Sequence, residues 1–264
     1  YRAAKRELQE WTAESLPPEP LNAQRVYAEW LVDLARLSGL RNVDPTLGNR
    51  STIGRIYTSI PVTIAAEGTL EQVATFLFHF ERTRLLHRIA KCDISSPETE
   101  GNPLLDITVT AEGLSLPEAV DRPRLFPRGN LAAPLDAQST QLRIESPDGF
   151  PDQPGYRIRI GREFLKVLAR SGNVWEVERG TSGTSAEAHE VEAIVELAPE
   201  RPVADPQAPR TVADYRRLLE AGPFVKPRPP VTYNPQLTAI PDQTVVRGTP
   251  LVVQARVTGW DPVD

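Results

Sequence analysis

The sequence predicts an α+β protein in which a ferredoxin-like domain precedes a small all-β barrel or sandwich. The first observation is an order of helix, strand, strand, helix, strand and strand over residues 20–115, typical of a sheet covered on one face by helices. The second is a series of short alternating strands with polar turns over residues 138–197. The third is the 26 prolines, which cluster over residues 117–154 and 199–250 and indicate modules joined by stiff spacers.

Helical spacing defines the helices of the first domain. Residues 1–19 form a charged N-terminal helix that prolines end. A stripe of Val26, Trp30 and Leu34 predicts the next helix, and Gly39 is placed to end it. Thr69 and Gln72 form a capping box that starts the last one. The predicted core consists of Ile64, Val73, Leu77, Phe80, Ile107 and Val109.

The second half divides at its prolines. Residues 116–137 are expected to be a linker with little regular structure. Residues 138–197 form the all-β module, with a hairpin turn at Ser171-Gly172-Asn173. A second linker, residues 198–233, carries a short helix at 212–219, and residues 234–264 hold the first strands of an incomplete domain.

Charge and cysteine content exclude several functions. A net charge of -5 argues against nonspecific nucleic-acid binding, which needs a basic footprint. Cys92 is the only cysteine, so the chain forms no internal disulfide and no cysteine zinc site. Its apolar neighbours Ala90 and Ile94 predict a buried small side chain.

No pattern in the sequence predicts catalysis. His79, His87 and His189 do not share a metal-ligand spacing: His79 is interpreted as a packing or surface residue, and His87 lies at a helix end that favours a positive charge. His189 is expected to cap a turn or to bond a strand carbonyl. Residues 180–185 lack the lysine of a phosphate loop and predict a tight turn. We therefore expect no catalytic, cofactor or metal residues, no cofactor, no small-molecule substrate and no enzymatic activity.

Residues 63–89 carry a resemblance to a known family. The apolar strand Thr63-Ile64-Ala65-Ala66, the Gly68 break, the helix with Phe76-Leu77 and its Leu85-Leu86 end resemble PilO and GspM-like proteins of type IV pilus and type II secretion platforms. The similarity covers roughly residues 20–115. It implies a periplasmic domain anchored in the inner membrane by an N-terminal helix that is missing here, paired with itself or a PilN-like protein. The stripe Val26, Trp30 and Leu34 is then a candidate partner interface, with core packing as the alternative.

Two further resemblances come from the second half. Residues 150–189, with Trp175 to Thr184 and His189, resemble a small β-module of phage tail proteins, and residues 234–253 resemble the start of cadherin-like or immunoglobulin-like repeats. The leading hypothesis is a non-enzymatic structural scaffold of a cell-envelope assembly platform. The alternative is an extracellular binding or adhesion protein whose β-module recognises glycan or protein, and a hydrolase is the third.

Overall fold

The computed structural model describes residues 2–96, 104–202, 211–215, 220, 236–237 and 257–258. The chain divides into two compact units, Tyr1–Val225 and Lys226–Asp264. Among the described residues of the first unit, the α-helices are α1 (Arg2–Glu14), α2 (Pro20–Leu37) and α3 (Leu70–Arg82). Its strands are β1 (Arg41–Leu47), β2 (Ser51–Ile53), β3 (Tyr57–Gly68), β4 (His87–Ser95), β5 (Leu105–Ser115), β6 (Arg128–Asn130), β7 (Gln141–Arg143), β8 (Arg157–Ile160), β9 (Glu163–Ser171), β10 (Val174–Thr181) and β11 (Ile194–Leu197).

An antiparallel sheet in the order β1-β3-β5-β4 forms the first half, and β2 pairs with the start of β3. Alternate residues of the central strands are buried, and cross-strand partners such as Ile64 and Val109 share that face. The α2 and α3 helices supply most of the other buried side chains, and Leu16, Leu40, Leu85, Leu125 and Phe126 complete this core. The α+β class is confirmed, and this strand order is compatible with a ferredoxin-like arrangement.

Both signals predicted for helix ends are present. The Thr69 hydroxyl accepts from the Gln72 amide at 3.3 Å, and the Thr69 amide donates to the Gln72 side chain at 2.9 Å, which completes the capping box. Gly39 follows α2 with a φ of 88°. A Cβ there would lie 2.7 Å from the Gln72 side chain, so glycine fits both the backbone and the neighbouring cap.

The first core differs from the predicted set at one residue of α3. Phe76 is 1% exposed, and it packs with Phe80 at a ring separation of 6.3 Å. Leu77 is half-buried at the margin of the same core. The buried face of α3 is therefore centred on Phe76, because Val73, Phe76 and Phe80 follow the helical spacing of three and four residues.

A six-stranded antiparallel sheet forms the second half, in the order β6-β11-β8-β9-β10-β7. Its two end strands meet through a bridge between Leu131 and Ile144. The Ala132 amide donates to the Arg143 carbonyl at 2.8 Å, which helps to curl the sheet into a barrel. The predicted hairpin turn joins β9 to β10 with Gly172 at a φ of 56°. The buried residues are Leu131, Leu135, Leu142, Ile144, Phe150, Ile158, Ile160, Leu165, Val167, Trp175, Val177 and Val195.

The proline-rich connector is more structured than predicted. Leu125 and Phe126 are buried in the first core, whereas Leu131 and Leu135 are buried in the second. The β6 strand also belongs to the connector. Proline prevents a helix here but leaves the apolar residues between the prolines free to pack, so the connector joins the two cores. The predicted division of Tyr1–Val225 into separate domains stays a prediction.

Two other predicted segments lie largely outside the described residues. Residues Val212–Tyr215 form a short 3-10 helix, and the remaining residues of the helix predicted at 212–219 lie outside the described part of the chain. In the second unit, Gln236–Leu237 (β12) pairs antiparallel with Val257–Thr258 (β13). The other residues of the predicted repeat at 234–264 lie outside the described part of the chain.

Candidate interaction surfaces

The three residues predicted to bind a partner lie in the core. Val26 is 1% exposed, and Trp30 and Leu34 are each 8% exposed. The Trp30 ring packs against Phe80 and Phe126, with centroid separations of 6.1 and 6.2 Å. This burial favours the core-packing alternative. Their role in an interface stays a prediction, since a partner could contact them only after the fold opens.

The α1 helix exposes a different apolar stripe. Leu8 is 49% exposed and Trp11 is 47% exposed, and Ala4 is exposed on the same face. Positions 4, 8 and 11 follow the alternating spacing of four and three residues found along the seam of a coiled coil. We call Ala4, Leu8 and Trp11 the α1 stripe. Because such side chains lose unfavourable hydration when covered, the α1 stripe is a candidate docking surface.

The turn after α3, residues 82–86, receives two distant parts of the chain. The Leu86 amide donates to the Glu14 carbonyl at 2.9 Å, which fastens the end of α1. The Arg84 amide donates to the Pro199 carbonyl at 3.0 Å, and the Arg201 amide donates to the Arg82 carbonyl at 2.8 Å. We call residues 82–86 the junction turn, because the end of α1 and the segment after β11 both bond to it.

The two edges of the first sheet differ in how readily another strand could pair with them. On β1, Pro45 lacks an amide donor, Asn42 has a φ of 51°, and the pairing with β3 is irregular between Arg41 and Asp44. These features obstruct the addition of another strand. In the described chain, β4 pairs with β5 alone. The exposed outer side of residues 91–95 is called the β4 edge.

Cys92 lies on the β4 edge and is exposed, so the prediction that it is buried is wrong. The apolar neighbours misled because, within the described residues, β4 is the last strand of its sheet and has a neighbouring strand on one side only. Partial desolvation, together with the negative charge of Asp93, raises the pKa of the Cys92 thiol. The protonated thiol is therefore favoured at neutral pH.

Arginine ion pairs hold α2 against the β-barrel. Arg128 contacts Asp33 of α2 and Glu196 of β11, each at 2.6 Å, and Arg159 also pairs with Glu196. The Glu196 side chain is buried, so its charge requires these partners. Arg157 stacks over Phe164 at 4.3 Å. The Arg128–Asp33 pair joins the barrel to α2 within the compact unit Tyr1–Val225, whereas the other contacts lie inside the barrel.

Two of the three histidines are partly buried among aromatic rings. His87 stacks on Phe80 at 4.0 Å, and burial followed by the charge of Arg201 lowers its pKa to about 3. His79 lies 4.9 Å from Phe164, and burial followed by the charge of Arg157 lowers its pKa to about 4. Both rings are uncharged at neutral pH, so the expectation of a positive charge at His87 is wrong.

Glu163 holds a network that the sequence did not indicate. Its fully buried carboxylate accepts from Arg179 at 2.7 and 2.8 Å and lies 2.8 Å from His189 Nε2. The amides of Gly180 and Glu187 also donate to it, at 3.0 and 3.1 Å. Burial alone raises the pKa of Glu163, but the bonds from Arg179, His189 and these amides lower it to about 2. We call Glu163, Arg179 and His189 the carboxylate clasp.

The carboxylate clasp fixes the loop that resembled a phosphate loop. Gly180 and Gly183 have φ values of 61° and 82°, and Ser182 has a φ of 55°. The Thr184 amide donates to the Thr181 carbonyl at 3.2 Å. These contacts confirm the predicted tight turn. His189 bonds to a buried carboxylate there, a partner that the sequence reading did not name.

The described residues show no cluster of metal ligands and no membrane-spanning helix. No group of three or more histidine, cysteine, aspartate or glutamate side chains in that part of the chain could hold a metal ion. None of the helices in the described ranges combines the length and the apolar character needed to span a bilayer.

Comparison of this α+β protein with known proteins gives a weak structural similarity. No protein-family model and no curated protein matches the chain. A solved structure of the type 4 fimbrial biogenesis protein PilO from Pseudomonas aeruginosa aligns with 33% of this chain at 17% identity and a TM-score of 0.30. The chain covers 64% of that structure, which is less than two thirds of its length.

Proposed function

We propose that this chain is a non-enzymatic structural scaffold that acts by associating with other protein chains. The observation that carries the proposal is the α1 stripe, since Leu8 and Trp11 expose about half of their surfaces on a helix. Such side chains are favoured at helix–helix seams, where a second helix covers them. The junction turn fastens only the C-terminal end of α1 through Glu14, so the stripe remains open to a partner.

The proposed setting is a cell-envelope assembly platform of the type IV pilus or type II secretion kind. It follows the sequence resemblance of residues 20–115 to PilO and GspM-like proteins. In that setting the chain is periplasmic, an N-terminal helix anchors it in the inner membrane, and the partner at the α1 stripe is a second copy or a PilN-like protein. The absence of a basic surplus, with a net charge of -5, supports a protein partner over nucleic acid.

Truncation of the α1 stripe is expected to weaken helix-mediated association. The double variant Leu8→Ala and Trp11→Ala should weaken self-association, or binding to a PilN-like domain, by about tenfold or more, because two exposed apolar anchors are lost. Sedimentation velocity over a concentration series measures the effect. Leu168→Ala is the matched control, because Leu168 is 47% exposed on β9 and lies outside the α1 stripe.

Two results would overturn the scaffold proposal. One is a double variant whose association is unchanged or is weakened no more than that of Leu168→Ala. The other is a wild-type chain that remains monomeric, binds no PilN-like domain and turns over a substrate.

An adhesion function of the β-barrel is the second candidate, and one observation favours it. Exposed Arg36 and Arg162 line a cleft of about 580 Å³ between α2 and the barrel, beside exposed Ile194. Arginine and an apolar side chain together suit an acidic glycan or peptide. Binding of such a ligand that is lost in Arg162→Ala and kept in the α1 double variant would favour adhesion over the scaffold.

A further inference from the structure

The β4 edge has features of a self-complementary interface. We propose that two copies of this chain pair antiparallel through their β4 edges, with Cys92 of each copy at the two-fold axis. The proposal rests on the proposed scaffold function and names one partner and one surface for it. It joins two first sheets into one continuous sheet, a recognised mode of strand addition.

The choice of β4 follows from the obstruction of the opposite edge. Pro45 and the irregular pairing near Asn42 disrupt the regular ladder of β1. The pairing of β4 with β5 is regular from Lys91 to Ser95, because its one irregularity lies between Ile89 and Lys91. A second strand can therefore follow residues 91–95 without a proline or a break in register.

The faces of the strand restrict the possible registers. Cys92 and Ile94 are opposite Val109 and Ile107, on the face that carries the helices. Lys91 and Asp93 are opposite Thr110 and Thr108, on the other face. Directly opposed residues in an antiparallel pair point to the same face. A two-fold pairing that continues the sheet must therefore place one residue opposite its own copy.

Charge then selects one register. An axis at Lys91 would place two lysines opposite each other, and an axis at Asp93 would place two aspartates opposite each other. An axis at Cys92 instead places Lys91 opposite the second copy's Asp93, and the two-fold symmetry repeats this pair. Directly opposed like charges destabilise a sheet and opposite charges stabilise it. The register centred on Cys92 is thus the one that uses both charges favourably.

Lysine on an edge strand usually discourages pairing, and here it makes pairing selective. A strand without an acidic residue at the matching position would leave Lys91 without a partner across the interface. Within one chain, Lys91 already contacts Asp93. Both side chains are exposed, so this internal ion pair contributes little to stability. Breaking this internal ion pair should therefore change the stability of one chain little, so a change in dimerisation can be attributed to the contact between copies.

The native cysteine provides the test, because Cys92 is the only cysteine in the chain. Directly opposed residues have Cβ atoms about 4.5–5.5 Å apart, within reach of a short bismaleimide. The wild-type chain should form a covalent dimer, and Cys92→Ser should form none. K91E and D93K should each lower the dimer yield about tenfold or more, because each variant places two pairs of like charges directly opposite each other across the interface.

Mixing the two charge variants gives the decisive measurement. K91E and D93K carry complementary edges, so the mixture should recover the crosslinked dimer, detected as a heterodimer by mass spectrometry. The internal Lys91–Asp93 pair is restored in neither chain, so recovery reports the contact between copies. A dimer yield that is unchanged in the single variants, or that does not recover on mixing, overturns the β4 proposal.

The outcome is distinguishable from failure of the scaffold function. The Leu8→Ala and Trp11→Ala double variant should keep the Cys92 crosslink, because it leaves the β4 edge intact. If the double variant lost the Cys92 crosslink while the wild type kept it, β4 pairing would depend on α1, and the proposal of a separate β4 interface would be wrong. Absence of the Cys92 crosslink in a wild-type chain that associates through α1 would overturn the β4 proposal and retain the scaffold.

Discussion

Trp30→Ala is expected to lower the free energy of unfolding by about 3–5 kcal/mol, the usual cost of removing a buried tryptophan or phenylalanine side chain. Trp30 is 8% exposed and packs against Phe80 and Phe126, so its removal leaves a cavity between α2, α3 and the connector. Urea unfolding followed by circular dichroism measures the change. Trp11→Ala makes the same substitution on α1, where the side chain is half exposed, and should cost less than ~1 kcal/mol.

This pair of variants separates the two roles considered for the α2 stripe. A large loss of stability in Trp30→Ala and a loss of association in Trp11→Ala would place packing on α2 and docking on α1. A Trp30→Ala protein as stable as the wild type, but unable to associate, would contradict the core placement and restore the interface role of Val26, Trp30 and Leu34.

Glu163→Gln is expected to cost about 3–5 kcal/mol, because it leaves the charge of Arg179 buried without a carboxylate. The Arg179 side chain is 7% exposed and donates two of its bonds to Glu163. Hydrogen exchange should also accelerate over residues 180–189, since the amides of Gly180 and Glu187 lose a charged acceptor. Glu178→Gln is the matched control, because Glu178 is exposed on β10. Equal effects of the two substitutions would contradict a structural role for the carboxylate clasp.

The carboxylate clasp also makes the free energy of unfolding depend on pH. The pKa of Glu163 is about 2 in the folded chain, against an ordinary value of 4.5. Because the folded pKa is the lower one, the stabilisation is complete above about pH 4.5 and disappears as the pH falls towards 2. The loss should amount to about 3 kcal/mol. Unfolding measured from pH 5 to pH 2 should show this decline in the wild type and a shallower one in Glu163→Gln; identical slopes would contradict the assignment.

Local patterns predicted the elements of the fold because their signals lie within a few residues. The Thr69–Gln72 cap spans one helical turn, and the alternation from Ile60 to Ala66 lies within one strand, so short-range chemistry defines both. The hairpin at Gly172 was equally local. The connector was predicted less well, because its prolines indicated only the absence of a helix while Leu125 and Phe126 pack on residues far away in the sequence.

The polar network could not be predicted from the sequence. Glu163, Arg179 and His189 come from β9, the end of β10 and the loop beyond it, and only the pairing of strands brings them together. Within the sequence, Arg179 is next to Glu178 and suggests a solvated strand face. The exposure of Cys92 was missed for a related reason, since apolar neighbours along a strand do not reveal whether another strand lies beside it.

The junction turn determines how this protein would carry mechanical force. Tension applied between α1 and the segment after β11 enters at Glu14 and leaves at Arg201, and both bond to residues 82–86. The load therefore crosses a few backbone hydrogen bonds, the Arg84–Glu14 and Arg82–Glu200 ion pairs, and the packing of Leu16, which is buried in the first core directly after α1. Under pulling, these contacts would break first, and the chain would lengthen at the junction turn while the sheet and the barrel stay folded.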